Sequence, residues 1–287
     1  MNKLRMKSIF FIAKTEYINW ITNPRMIVVG MMFLFMRTLA VEPLLERAEK
    51  MGESLNILEP FVAIGNSGML VMLMPCVFMV LVSDYPVISG NTLFVVCRTG
   101  KRNWLIGQMV FMISAIVSYM GTILLVSVLT SGGRLGLKWS EVVRKYEMFF
   151  PEEMGNFASK LLPSNLYNQI PLVTAVIQTF FLMGAYLFLL VLVLYFFKLL
   201  HLQSAGIFAV FVIIGMGTAV CSVKSAGMWM FPMANAISWL HYEEILKEPI
   251  YPVENSFIYF AVLILFLIIA NIVALRKLQF INMEGER

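Results

Sequence analysis

The sequence reads as an all-α polytopic membrane protein, with six transmembrane helices behind an N-terminal amphipathic interfacial helix, all in one domain over residues 1–287. Three observations lead there. Six apolar stretches approach or exceed the roughly 20 residues that a helix needs to cross a hydrocarbon core. They are Pro24–Leu45, Pro60–Ser83, Trp104–Ser131, Pro171–Phe197, Gly206–Val223 and Phe257–Leu275. The chain is 60% hydrophobic and only 14% charged, with a mean hydropathy of +0.81, where a soluble domain carries about 25% charged residues. The charge is also sorted by side. With both termini in the cytoplasm, twelve of the 22 Lys and Arg but only four of the 17 Asp and Glu fall inside. The inner net is then +8 against −3 outside, which together make the chain's +5. That asymmetry is membrane topology, with basic residues held at the cytoplasmic ends of spans. No basic face is gathered for nucleic acid.

Residues 1–23 form the interfacial helix. Over Arg5–Thr22, Met6, Ile9, Phe10, Ala13, Tyr17, Trp20 and Ile21 follow the spacing of one helical face. Ser8, Thr15, Asn19 and Thr22 lie opposite, blurred by Phe11, Ile12 and Ile18, with Lys7 and Lys14 flanking, so the helix suits the cytoplasmic headgroup layer; the alternative is a long, frayed start to the first span. It is no secretory signal, because Lys14, Thr15 and Glu16 cut the apolar run SIFFIA short. Pro24 then turns the chain into the six-helix bundle, residues 24–275.

Span one holds Arg37, the only charge lying away from the ends of a span. About 13 residues past Pro24, at roughly 1.5 Å each, it lies beyond the midplane, where it snorkels to headgroups, meets Glu42, or lines a route. Span two carries Asn66 and Ser67 and ends at the breakers Tyr85-Pro86 and Gly90-Asn91. In the loop that follows, Thr92–Cys97 suits one short helical turn before the basic residues Arg98, Lys101 and Arg102. Gly100-Lys101 is not a phosphate-binding loop, since that motif needs Gly where Val95 stands and Ser or Thr where Arg102 stands.

Span three has Ser114, Ser118 and Thr122 on one face, and span four has Gln178 and Thr179. Such residues either glue helices together or line a route. The outer segment Gly132–Ile170 contains Trp139, Val142, Val143, Tyr146 and Phe150 at helical spacing, which predicts a helix resting on the outer leaflet. After span five, the stretch SAGMWMFPMANAISWL is too short to cross and is broken by Pro232. It is read either as a re-entrant or interfacial element covered by other helices, or as a surface loop. Span six has one strongly polar interruption, Asn271, and residues 276–287 form a cytoplasmic tail.

No catalytic constellation stands out. His201 and His241 fall on opposite sides, and no Asp or Glu lies at the centre of a span, which argues against a proton relay. Cys76, Cys97 and Cys221 have neither disulfide nor metal-ligand spacing.

The layout resembles the permease subunits of ATP-binding-cassette exporters of the second type. A surface helix precedes span one, a breaker-rich loop joins spans two and three, and an irregular outer element separates spans five and six. The likeness in sequence is concentrated in Gly90-Asn91-Thr92-Leu93-Phe94 and in the run from Arg98 to Gln108. The glutamates often found before that glycine are missing, leaving Asp84, and the proline often seen before the basic turn is replaced by Cys97.

The resemblance implies a chain with no catalytic site or cofactor of its own. ATP and Mg would sit on a separate ATPase subunit at the cytoplasmic face, and a second permease, identical or different, would complete a twelve-helix unit. Closure of the ATPases would push on the loop Asp84–Asn103 and on the helix Arg5–Thr22. Asp84, Arg98, Lys101 and Arg102 would be the coupling residues; Arg37, Asn66, Ser114, Ser118, Thr122 and Gln178 would be the candidates for lining the route. By analogy, the cargo class is antimicrobial peptides or other hydrophobic compounds. The competing readings are an ion-coupled secondary carrier and a non-transporting immunity or sensor protein of the membrane.

Overall fold

The computed structural model describes residues 6–88, 90–225, 227–243 and 249–277. Among these the chain is helical, with isolated bridges at Asn56–Arg134 and Tyr242–Pro249 in place of strands. The predicted tail beyond Lys277 lies outside the described residues.

Helix α1 (Met6–Ile21) is followed by a turn in which the Asn23 side chain accepts from the Arg25 amide and Pro24 opens a short 3-10 segment. The first long apolar element runs from Pro24 to Met51. It comprises α2 (Ile27–Met36), a π-helical turn at Arg37–Val41 and α3 (Glu42–Met51). The π turn sits just before Pro43, whose missing N–H and ring disturb the regular ladder. Gly52, at φ +67°, ends the element in a conformation that side chains disfavour.

The second predicted span is not one straight helix. It is divided into α4 (Glu59–Asn66) and α5 (Gly68–Val82), bent by 81°. Ser67 breaks the helix with extended backbone (φ −78°, ψ 135°), at a run of Asn, Ser and Gly that are all poor helix formers. Every residue of α4 is buried, and Gly65 permits this: a Cβ there would lie 2.2 Å from the Thr179 methyl group.

Helix α6 (Gly90–Thr99) is longer than the single predicted turn, and Gly100 at φ +87° separates it from α7 (Lys101–Thr130). On the opposite end lie α8 (Glu141–Phe149), capped by the Ser140 hydroxyl, and the short α9 (Ser164–Tyr167). The apolar face predicted for α8 forms, but it turns inward: Trp139, Val142, Val143 and Tyr146 are buried against protein, with Arg47 of α3 over the Tyr146 ring at 4.5 Å. Protein therefore takes the place of the outer leaflet against that face.

Helix α10 (Leu172–Leu199) is the axis of the bundle, packed by α4 and α7 and by the three helices that follow it in the chain. After α11 (Gln203–Val223), the chain folds through a 3-10 turn, α12 (Pro232–Ala236) and another 3-10 turn at Ser238–His241, then enters α13 (Val253–Lys277). The segment Met233–Ser238 is buried, with α12 against α10, α11 and α13. It is a covered element rather than a surface loop.

Among the described residues, five helices are long and apolar enough to cross a membrane, or six when the bent α4–α5 pair counts as one span. Asn271, the polar interruption of the last span, donates to the Leu192 carbonyl at 3.0 Å and ties α13 to α10.

Candidate functional site

The residues expected to receive a push gather at the end of the bundle that carries α1 and α6. Helix α1 docks along α7. Gly107 allows the approach, since a Cβ there would lie 2.9 Å from Ile12 Cβ and 3.2 Å from the Ile9 carbonyl oxygen. The inward face is Ile9, Ile12, Ala13, Glu16, Tyr17 and Trp20. This face is rotated from the predicted one: Phe10 and Met6 point outward, at 59% and 61% exposed, while Ile12 and Glu16 turn in.

Glu16 was not legible as a site residue. Its carboxylate accepts from Gln108 Nε2 at 2.9 Å, and Gln108 Oε1 in turn accepts from the Tyr195 hydroxyl at 3.5 Å. Burial raises the Glu16 pKa above the ordinary carboxylate value, partly offset by the Gln108 bond. A lone acid flanked at i−4 by Ile12 and at i+4 by Trp20 was the available signal. The Tyr17 hydroxyl and Ser118 Oγ share a hydrogen bond of 2.7 Å. A cavity of about 320 Å³ opens between α1, Tyr85, Val87, α6 and Trp104, with Thr15 and Glu16 on its wall.

Asp84 does not stand free on the loop. Arg25 NH1 reaches its carboxylate at 2.6 Å and the Ser83 hydroxyl at 3.3 Å, and Lys198 of α10 donates to the Asp84 carbonyl. The bases of the first, second and fourth spans are thus tied at one point. An exposed ion pair such as Arg25–Asp84 contributes about 0–1 kcal/mol by itself, so what matters is the position of this tie.

The three basic residues of the loop separate. Arg98 is exposed in the last turn of α6, alongside exposed Phe94 and Val95, while Val96 and Thr92 face inward. Lys101 and Arg102 instead begin α7 and line a groove of about 500 Å³ shared with Arg276 of α13. Asn103 donates to the Thr99 carbonyl at 2.8 Å and holds the α6–α7 corner.

The residues proposed to line a route also fall in different places. Ser114 and Thr122 are exposed on the outside of this chain, their hydroxyls bonded to the Val110 and Ser118 carbonyls of α7 itself. Ser118 shares that face but is taken up by Tyr17. Arg37 meets Glu42 at 3.3 Å, with its side chain 60% exposed.

Asn66 is buried and fully engaged. Its amide donates to Val62 O and Thr179 Oγ1, both at 2.9 Å, its Oδ1 accepts from the Ser238 amide at 2.8 Å, and its carbonyl accepts from the Trp239 indole at 2.8 Å. It joins the break in the second span to α10 and to the covered segment, which makes it a structural joint. Gln178, one residue before Thr179, is half-buried, and its Oε1 has no partner among the described residues.

The covered segment has its own polar centre. Asn235 donates to the Trp229 and Phe231 carbonyls and accepts from the Ser256 hydroxyl at 2.7 Å. His241 Nδ1 lies 2.8 Å from the Tyr251 carbonyl. Trp229 stacks on Tyr251 at 4.3 Å between centroids. Burial lowers the His241 pKa below the ordinary imidazole value.

Compared with protein-family models, with curated proteins and with solved structures, the chain has no match.

Proposed function

We propose that this chain is the membrane-spanning permease subunit of an exporter of the second ATP-binding-cassette type, powered by a separate ATPase subunit that carries ATP and Mg. The chain lies in the cell membrane with both termini in the cytoplasm, on the side of α1 and α6. It pairs with a second permease, and the exposed hydroxyl face at Ser114 and Thr122 borders the route between the two. The cargo is hydrophobic, a peptide or a lipid-like compound.

The observation that carries this reading is α6. It is a short helix between the second and third spans with one face buried and the other presenting Phe94, Val95 and Arg98 outward. It joins α7 through Gly100 and Asn103, and α7 in turn carries α1. A push on α6 therefore reaches α7 and α1 together. Motion of this kind requires contacts that differ between two states. The tie at Arg25, Asp84 and Lys198 is placed to differ, because it links spans that would move apart.

The test is to purify the tagged chain from its own membranes and to measure ATP hydrolysis in the eluate. An ATPase subunit co-purifies with the natural chain, and F94D/R98E on α6 releases it or abolishes stimulation while insertion is retained. Transport driven by an ion gradient with no associated ATPase makes the chain a secondary carrier. Absence of both activities assigns it to the non-transporting class.

A further inference from the structure

The geometry points to a seat for one anionic phospholipid in the groove between α7 and α13. The groove measures about 500 Å³, within the range of small-molecule sites. Three cations, Lys101 and Arg102 of α7 and Arg276 of α13, share its lining with apolar side chains, and among the described residues no acid lines it. Arg102 and Arg276 are exposed, as a headgroup contact requires.

The apolar part of the lining recedes from the charges along both helices. Met109 stands eight positions after Lys101, and Ile268 eight positions before Arg276. At 1.5 Å per residue each lies about 12 Å further along its axis. Cations at one end and hydrocarbon below are the profile of a glycerophospholipid with its phosphate at the top and its chains beneath. A free phosphate would leave the apolar wall uncovered. α13 packs chiefly on α10 and only lightly on α7, so the space between them is open for an occupant. Basic pockets between membrane helices take anionic headgroups in this way.

The separation of the basic residues gives the inference its control. Arg98 sits on the outward face of α6 and does not line the groove. Each cation near an anionic headgroup favours binding by about fivefold, which makes the preference for an anionic over a zwitterionic lipid on the order of 100-fold for three.

The experiment uses the full-length protein in detergent, given an equimolar mixture of phosphatidylglycerol and phosphatidylcholine, with bound lipid counted by native mass spectrometry. The natural chain retains one phosphatidylglycerol at about that preference, and glycerol phosphate does not displace it. K101Q/R102Q/R276Q loses the preference, and R98Q keeps it. Ile106→Trp, which leaves the three cations in place and fills the apolar wall, lowers retention at least tenfold. Equal retention of both lipids by the natural chain overturns the proposal even if no variant folds, as does unchanged retention by the triple variant. Displacement by glycerol phosphate would make the groove a simple anion site. A dimer that dissociates in the triple variant while lipid retention is unchanged would make a second copy the occupant.

Discussion

Replacing Asn66 with alanine separates a structural joint from a transport residue. The substitution removes the acceptor of the Ser238 amide, at 2.8 Å, and the donor to Thr179 Oγ1, at 2.9 Å. Both Ser238 and Thr179 are 0% exposed, so no solvent replaces what is lost. A buried N–H left without an acceptor costs about 1–3 kcal/mol. The inter-helix side-chain bond to Thr179 adds about 0.6 kcal/mol, the mean found between membrane helices. Together N66A is expected to cost about 2–4 kcal/mol, which lowers the midpoint of thermal unfolding by on the order of 5 °C or more in a chain of this size.

The assay is tryptophan fluorescence against temperature, with hydrogen exchange read peptide by peptide. Protection should fall over residues 228–241 and around Ser67, where Asn66 makes its contacts, and should hold over α1 and α6. T179V, which leaves Asn66 its Val62 and Ser238 partners, should cost under half as much. An N66A protein with the natural melting point and altered transport would refute the assignment and place Asn66 on a route.

Three further outcomes follow from the same contacts. At Gly107, leucine places its Cβ against Ile12 and the Ile9 carbonyl; overpacking of this kind costs about 1–3 kcal/mol, so amide exchange in α1 should rise selectively, and unchanged exchange would mean that α1 does not need this approach. The raised pKa of Glu16 gives stability that is full below the ordinary carboxylate value and is lost as pH rises through the value in the fold. E16Q keeps an acceptor for Gln108, so it should melt above the natural chain at pH 7.5, with the gap closing toward pH 4.5; a gap of constant size would exclude the titration. His241 has the opposite sign: its lowered pKa gives stability present above the ordinary imidazole value and lost as pH falls through the value in the fold. Protection over 228–241, taken relative to the intrinsic exchange rate at each pH, should therefore fall between pH 7.5 and pH 5, and H241Q should flatten that dependence.

Some of the candidate site was readable in the chain. The breaker Gly90-Asn91 stands where α6 begins, and the basic run from Arg98 to Arg102 lies where span three begins. Yet Arg98, Lys101 and Arg102, neighbours in sequence, part company because Gly100 redirects the backbone between two helix axes. Four positions apart on α7, Ser114, Ser118 and Thr122 share a face as periodicity requires. Periodicity does not say whether such a face looks at protein or away from it, and here two of the three look outward.

What the sequence determined alone was the set of apolar helices and most of their ends. Crossing hydrocarbon is a condition each segment meets within itself, by length and by satisfying its own backbone groups. Proline, glycine and asparagine mark the ends for equally local reasons. The tertiary structure decided the break at Ser67, the turn of α1 that brings Glu16 inward, the inward face of α8 and the covering of residues 233–238. Each depends on a partner remote in the chain: Gln108 is 92 positions from Glu16, Arg47 is 99 from Tyr146, and Ser238 is 172 from Asn66. An apolar helix is stable in any rotation until a neighbour offers a donor, a glycine gap or a ring, and those neighbours come together only when the bundle closes.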